Sequence, residues 1–210
     1  MLISGHRSKQ DPVLVNLSGG VDSTYLAWGL LSAGYRLVIH HAVLINSTGR
    51  HGEERVAVER VLRWLDREGL DRYEYVTTRL DLTDLGWVPY DIEVVGFLSG
   101  TVLRSPGRQR VRTVAVSSNA DDATARDPNT TRGRVRQKVT ESMANRPIDW
   151  WWPIRDRSKA DLVAAMPTDL LAATWWCREP TGNGKLCDRC RTCRQMSALP
   201  EVVAVASASA

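Results

Sequence analysis

The sequence predicts an α/β protein in which helices cover both faces of a parallel sheet, with a small four-cysteine region at its C-terminal end. Three observations predict it. Apolar runs of strand length alternate with segments of helical periodicity, a glycine-containing turn joins the first strand candidate to the first helix candidate, and all four cysteines lie close together near the end. Alternating strands and helices are typical of a parallel sheet that binds ligands at the carboxyl ends of its strands.

The strand candidates are short runs rich in apolar and β-branched residues. The first, residues 13–17, lies between Pro12 and the glycine turn, and the others are residues 36–45, 73–80 and 112–117. β-Branched residues fit the pleated surface of a sheet, and runs of this length between turn residues are typical of buried parallel strands.

The helix candidates have apolar residues at helical spacing. Residues 21–33 end before Gly34, and residues 52–68 carry an apolar face of valines and leucines and end before Gly69. Further helices are predicted at residues 92–103, despite Gly96 and Gly100, and at 131–144. Ser158 is positioned to cap a short helix over residues 159–165.

Composition limits the class of protein. With 210 residues, 43% hydrophobic and 25% charged, the chain can form one domain with a core and a small appendage. We predict a nucleotide-binding domain over residues 1–147, a helical and zinc-binding region over 148–197, and a tail over 198–210. No apolar run has the length of a membrane span and no signal-peptide core is evident, so we expect a cytoplasmic protein with no membrane partner.

The net charge of +4 allows anionic ligands without requiring a nucleic acid. Basic residues form two groups, one over residues 104–112 and another over 126–138. Either group could close over a polyphosphate, and solvated surface arginines are the alternative interpretation.

The glycine turn, "SGGVDS" at residues 18–23, can bind an anion. Gly19 and Gly20 expose backbone amides between a strand and a helix, and the helix that follows has unpaired N–H groups and a dipole that favours negative charge. Ser18 and Ser23 add hydroxyl donors. Asp22 fits such a site if it ligates magnesium or holds the loop. An ordinary glycine turn with a serine cap is the alternative, and the missing lysine excludes a Walker A loop.

Two features lie between the turn and the cysteines. Three adjacent tryptophans, Trp150 to Trp152, cannot all face one core, so at least one is expected to cover a ligand pocket, a partner or a loop. Lys159 lies in the first turn of its predicted helix, where a cation gains nothing from the dipole. A nearby phosphate would explain that position, and so would plain exposure to solvent.

The cysteines predict a metal site. Cys177, Cys187, Cys190 and Cys193 are separated by nine, two and two residues, which lets four sulfurs converge on one ion. Tetrahedral zinc with a structural role fits best, because four thiolates leave no open position for water. Two disulfides are the rival interpretation, although they are rare in a cytoplasmic chain. An iron–sulfur cluster is a further alternative, although the polar flanks offer it no apolar shell.

Together these motifs resemble a known family. "SGGVDS" resembles the pyrophosphate loop (PP-loop) of the ATP pyrophosphatases, whose members have the adenine nucleotide alpha hydrolase-like fold. "PIRDRSKADLV", "TWWC" and "LCDRCRTC", together with "GRH" at 49–51 and "NADD" at 119–122, resemble the 7-cyano-7-deazaguanine synthase family of queuosine biosynthesis. The resemblance covers most of residues 12–196 and marks this chain as a divergent member.

The resemblance implies a carbon–nitrogen ligase that uses MgATP and ammonia to convert 7-carboxy-7-deazaguanine to 7-cyano-7-deazaguanine. It implies catalytic roles for Asp22, Ser23 and Lys159. It implies substrate contacts by Arg50, His51, Asn119, Asp122 and Trp175, and a structural zinc on the four cysteines. ATP contacts are implied for the loop and its flanks: Leu17, Ser18, Gly19, Gly20, Val21, Asp22, Ser23 and Thr24.

Other functions stay open at this point. A related enzyme could stop at the amide, adenylate another carboxylate or modify tRNA, although nucleic acid is not expected as a partner. A zinc module that binds nucleic acid or protein without catalysis would leave the glycine turn unexplained. A homodimer is one allowed assembly.

Overall fold

The sheet is the centre of the molecule. The structure is a computed structural model that describes residues 9–85, 91–122, 131–181 and 184–202. Five parallel strands lie in the order β3-β2-β1-β4-β5. They are β1 (Val13–Asn16), β2 (Leu37–Ile45), β3 (Tyr73–Asp81), β4 (Thr113–Ala115) and β5 (Asp149–Trp151).

α-Helices connect and flank the strands. They are α1 (Val21–Ser32), α2 (His51–Arg67), α3 (Asp91–Arg104), α4 (Thr131–Ala144), α5 (Lys159–Ala165), α6 (Thr168–Ala172) and α7 (Arg191–Ser197). A 3₁₀ turn, Thr83–Leu85, follows β3.

Helices cover both faces of the sheet, as predicted. Because side chains alternate along a strand, Val13 and Val15 of β1 join one core with α1, α2, α5 and α6, while Leu14 joins a second core with α3 and α4. The larger core surrounds Tyr25 and Leu26 of α1, both fully buried. The predicted fold class is therefore confirmed.

The strand order reverses between β1 and β4. From β1 the chain builds outward through β2 to β3, then returns past α3 to place β4 on the other side of β1. Such a reversal opens a crevice at the carboxyl ends of the two strands, where open α/β sheets bind ligands. The glycine turn follows β1 at this point.

Two glycines allow α3 and α4 to lie in close contact. A Cβ atom added to Gly100 would lie 2.5 Å from the backbone oxygen of Thr140, and one added to Gly96 would lie 3.1 Å from the Thr140 hydroxyl. The Thr140 hydroxyl also donates to the Gly96 carbonyl at 3.0 Å. The two glycines that looked unfavourable for a helix are thus the contact surface of α3.

The predicted elements match the observed ones within one or two residues at each end, and α4 and α5 have the predicted bounds. Ser158 caps α5 in a capping box with Asp161. The sequence did not indicate β5, whose Trp150 and Trp151 pair with Val114 and Ala115 of β4. It extends the sheet past residue 147, where we predicted the first domain to end, and this domain boundary remains a prediction.

The predicted tail lies only partly within the described residues. After α7, Leu199 and Val202 pack against the larger core, and the rest of the predicted tail lies outside the described residues. Among the helices in the described ranges, none is both long and apolar enough to span a membrane.

Candidate functional site

The glycine turn after β1 is held in one shape by its own serines. The Ser18 N–H donates to the Ser23 hydroxyl at 3.2 Å, and the Gly20 N–H donates to the Ser18 hydroxyl at 3.3 Å. Gly19 has φ of +78°, and a Cβ there would lie 2.8 Å from the Ala57 side chain in α2. Glycine is therefore required at position 19 by both conformation and space.

Helix α1 begins directly at this turn. Its N-cap is Gly20, which supplies no side-chain cap, and within the described part of the chain the N–H groups of Val21 to Ser23 have no capping acceptor. The first helical bond is donated by Thr24 to the Gly20 carbonyl at 3.1 Å. An uncapped N-terminus beside two serine hydroxyls is a suitable site for an anion such as phosphate.

Asp22 joins the turn to two other segments. Its carboxylate accepts hydrogen bonds from the Lys159 ammonium and, at 2.9 Å, from the Asn119 amide. Lys159 is 8% exposed. The ion pair with Asp22 gives the lysine in the first turn of α5 a carboxylate partner, and its burial rules out plain exposure to solvent as the explanation.

The loop after β4 is built around Asn119. Its backbone N–H donates to Asp122 at 3.2 Å, and its side-chain oxygen accepts from the Asp121 N–H at 2.9 Å. Asp121 in turn accepts from the Lys159 N–H at 2.9 Å. Burial raises the pKa of Asp122, with Asp22 adding a smaller effect in the same direction. This loop therefore fixes the position of the Asp22–Lys159 pair.

These groups border a cavity of about 610 Å³ at the carboxyl ends of the strands. Of the residues predicted to bind ATP or substrate, those that line it are Leu17, Ser18, Gly20, Val21, Asp22, Ser23, Arg50, Asp122, Lys159 and Trp175. Gly19 does not line the cavity and packs against α2. Thr24 is fully buried in α1, and Asn119 reaches the site through Asp22.

Arg50 is paired with acids on one side of the cavity. Its guanidinium contacts Glu54 at 3.2 Å and forms a hydrogen-bonded ion pair with Asp91. Burial raises the pKa of Glu54, and the charge of Arg50 opposes that effect. His51 begins α2 next to this cluster, and its buried Nδ1 has no hydrogen-bond partner among the described residues. Arg50 therefore ties α2 to α3.

A polar network lies beneath the cavity. His40 is fully buried, with Nδ1 2.8 Å from the Asn16 side-chain oxygen and Nε2 2.8 Å from the Thr78 hydroxyl. Ser99 of α3 donates to the same Asn16 oxygen at 2.9 Å. Burial lowers the pKa of His40 to about 4, so its ring is neutral at pH 7. Sequence analysis did not single out this network, because strand β2 gives no local sign of what its histidines face.

The opposite wall combines Trp150 with α4. The Arg136 guanidinium lies over the Trp150 ring, 5.4 Å from its centroid, and the Trp150 indole N–H donates to Glu141 at 3.0 Å. Both Arg136 and Trp150 line the cavity. Trp151 instead packs in the core against Tyr35. The tryptophans are thus divided as the sequence suggested, one at a cavity and another in the core.

The two basic groups lie at different ends of the strands. Residues 104–112 precede β4 and lie at the amino ends of the strands, whereas the glycine turn lies at the carboxyl ends, so this group cannot close over an anion at the turn. There Arg108 pairs with Glu74 of β3. In the second group Arg132 and Arg136 line the main cavity, while Arg126 lies outside the described residues.

The four cysteines converge. All are free thiols, and their sulfurs lie within 4.8 Å of one another. Tetrahedral zinc with sulfurs at about 2.3 Å would place them about 3.8 Å apart, and the Cys187 and Cys193 sulfurs are 3.9 Å apart. Backbone N–H groups of Cys187, Cys190 and Cys193 donate to cysteine sulfurs at 3.3–3.4 Å. These donors stabilise thiolates, so the cluster could bind a metal ion such as zinc.

The cysteine cluster is tied to the glycine turn. Trp175, two residues before Cys177, donates its backbone N–H to the Gly19 carbonyl at 2.8 Å, and its indole donates to the Cys177 carbonyl at 3.0 Å. Cys177 itself lines the cavity. Trp175 therefore connects the two motifs.

Comparison with known proteins leaves the activity of this chain open. No family model and no curated protein matches this chain. Among solved structures, it is similar to NMN synthetase from Francisella tularensis, with a TM-score of 0.45 and 15% sequence identity over 95% of this chain and 77% of that chain. A likeness at this level supports no statement about activity.

Proposed function

We propose that this protein is an ATP-dependent, AMP-forming ligase of the PP-loop type that activates a carboxylate. One observation carries the proposal: the uncapped N-terminus of α1, with the Ser18 and Ser23 hydroxyls, faces the same cavity as the Asp22–Lys159 pair. Unpaired amides and a lysine stabilise the charge of a polyphosphate, and the helix dipole adds to that effect.

The proposed roles follow from the contacts. The amides of Gly19 to Ser23 and the two serine hydroxyls bind the β- and γ-phosphates, which leave as pyrophosphate. Lys159 neutralises charge that develops on the α-phosphate, and Asp22 orients that lysine. The Asp22 and Asp122 carboxylates are the oxygen ligands available to the magnesium that accompanies ATP. Magnesium would screen the phosphate charge.

The chemistry explains why ATP is needed. A carboxylate oxygen attacks the α-phosphorus, the bond to the bridging oxygen of pyrophosphate breaks, and an acyl adenylate forms. Ammonia then attacks the acyl carbon, the bond to AMP breaks, and loss of a proton from nitrogen gives an amide. In a second adenylation the amide oxygen attacks the α-phosphorus of another ATP, and pyrophosphate and one amide proton leave. Loss of AMP and the remaining proton on nitrogen then gives a nitrile. A partly enclosed cavity limits hydrolysis of the adenylate.

Our specific proposal for the substrate is 7-carboxy-7-deazaguanine, converted to 7-cyano-7-deazaguanine. It rests on the motif resemblance. In support, a cavity of about 610 Å³ is large enough for a nucleotide and a small bicyclic base together. Of the residues that the resemblance assigns to the substrate, Arg50 is paired with Glu54 and Asp91, and Asn119 donates to Asp22.

We propose further that the four cysteines hold one structural zinc. The convergence of the sulfurs and the backbone donors to them supports this assignment. Four thiolates complete a tetrahedral shell, so this site would hold the Trp175 segment in place without activating water.

The test is turnover of ATP. We expect AMP and pyrophosphate from MgATP and ammonium only when 7-carboxy-7-deazaguanine is present, and mass spectrometry should show a product lighter than the ammonium salt by two waters. Loss of one water would identify an amide-forming enzyme. No reaction with this substrate, but AMP formation with another acid, would retain the ligase and reject the deazaguanine. No AMP formation with any acid would reject the ligase.

A further inference from the structure

One cavity residue has no role in the function proposed above. Arg136 projects from α4 into the cavity wall, and its buried Nε has no hydrogen-bond partner in the described ranges. In those ranges no acid and no hydrogen-bond acceptor pairs with its guanidinium. The guanidinium instead lies over the Trp150 ring. Burial lowers its pKa to about 10, which leaves it charged at neutral pH.

Other cations of the cavity have partners. Arg50 is bound by Glu54 and Asp91, and Lys159 is bound by Asp22. Arg178 donates through Nε to the Thr192 hydroxyl at 3.2 Å. A cation without an acidic partner in a wall that is partly shielded from water is costly unless a ligand supplies the anion.

The position of Arg136 is fixed by its surroundings. Its Cγ lies 3.1 Å from the place a Gly96 Cβ would occupy, so the stem of Arg136 packs against α3 where that helix lacks a side chain. The ring beneath it is held by the Trp150–Glu141 hydrogen bond. A preorganised guanidinium suits the flat, two-oxygen geometry of a carboxylate.

We infer that Arg136 is the residue that binds the carboxylate of the acid substrate, with Trp150 as its support. The inference rests on the proposed function for the identity of the anion, because the phosphates of ATP already have donors at the glycine turn. Arg136 would hold the acid at the α4 wall while the turn holds the nucleotide. It would thereby select acids over their neutral analogues.

The test uses benzoate as a simple planar carboxylate and benzamide as its neutral match. Their dissociation constants are measured by NMR titration, with α,β-methylene-ATP and magnesium present so that the glycine turn is occupied. We expect the wild type to bind benzoate and not benzamide. Arg136→Gln should weaken benzoate binding at least about tenfold, as for loss of a charge-assisted hydrogen bond. Arg136→Lys should fall between the two.

The matched control is Arg134→Gln, which removes the same charge from an exposed position on the same helix and should leave the affinity unchanged. Equal benzoate binding in the wild type and Arg136→Gln would overturn the inference, and so would no benzoate binding by the wild type. Loss of α,β-methylene-ATP binding in Arg136→Gln would also overturn it, because Arg136 would then be a phosphate contact. Failure of the wild type to bind the ATP analogue would count against the proposed function instead.

Discussion

Asp22 links three segments through one carboxylate, which makes it the residue whose change should have the largest local effect. Asp22→Asn keeps the size of the side chain but leaves the buried ammonium of Lys159 without a counter-charge. Loss of a hydrogen bond between charged groups costs about 2 kcal/mol. We expect the free energy of unfolding, measured in urea, to fall by about that amount, and AMP formation to be lost.

Asp156→Asn is the control, because Asp156 is 88% exposed and its ion pair with Arg155 lies at the surface. This variant should change stability by less than about 0.5 kcal/mol. If Asp22→Asn has the same free energy of unfolding as the control and still forms AMP, the Asp22–Lys159 pair has no part in the site.

His40 should make stability depend on pH. Its folded pKa is about 4, below the ordinary 6.5, because burial disfavours the charged ring. Between these values the unfolded chain binds more protons than the folded one. The contribution of His40 to the free energy of unfolding is therefore fully present above pH 6.5 and is lost as the pH is lowered towards 4. The loss attributable to His40 is about 3 kcal/mol over that range.

Urea unfolding between pH 4 and 8 would measure this dependence. His40→Gln retains hydrogen-bonding groups towards Asn16 and Thr78 but cannot titrate, so its stability should fall less steeply below pH 6.5 than that of the wild type. His41, whose pKa burial also lowers, titrates in both proteins and cancels in the comparison. Parallel curves for the two proteins would show that His40 is not the titrating group.

At the scale of elements, the contact between α3 and α4 depends on glycine. A Cβ at Gly100 would lie 2.5 Å from both the Met143 Cβ and the Thr140 backbone oxygen. Because backbone cannot yield as a flexible side chain can, Gly100→Ala should separate the helices and cost about 1–3 kcal/mol, despite the better helix propensity of alanine.

Gly52→Ala is the matched substitution, because Gly52 lies in α2 with no atom within 4 Å of the new Cβ. There the propensity gain should dominate, and the variant should be more stable by about 0.5–1 kcal/mol. Thermal unfolding of both variants would measure the difference. A stabilising Gly100→Ala would mean that α3 and α4 are not in close contact.

Most elements of the sheet and its covering helices could be predicted from the sequence. Strands and helices with a clear period and turn residues at their ends were predicted within one or two residues, and the Ser158 cap located α5. Strand β5 was not, because three residues are too few to show a period and three tryptophans give no alternation of polarity. Only its pairing with β4 identifies Asp149–Trp151 as a strand.

The candidate site, too, could be predicted from the sequence only in part. The glycine turn and the cysteine cluster are local patterns, so the sequence located both. The Arg136–Trp150 wall and the His40 network depend on strand register and on the packing of α3 against α4, neither of which a single sequence reveals. Arg50 was identified as a site residue, but its pairing with Asp91 joins positions 41 residues apart and needed the fold.

At the scale of the whole molecule, the cysteine cluster and the glycine turn form one unit. The two are far apart in sequence, yet the Trp175 N–H donates to the Gly19 carbonyl, and the Trp175 indole holds the carbonyl of Cys177. A metal ion that fixes Cys177 would therefore also fix the turn. Without it, the thiols are held to each other only by weak hydrogen bonds, and the Trp175 segment should loosen.

Cys190→Ser tests this connection, since Cys190 is a buried member of the cluster. We expect bound zinc to fall from about one per chain to well below one, because a hydroxyl is a poor zinc ligand. Hydrogen exchange of the Trp175 and Gly20 amides should then accelerate roughly tenfold or more, as local opening becomes easier. Amides in the middle of α1 should keep their protection.

Chelation of zinc from the wild type should give the same pattern, and returning zinc should reverse it. Zinc loss with unchanged exchange at the turn would show that the two motifs are mechanically independent.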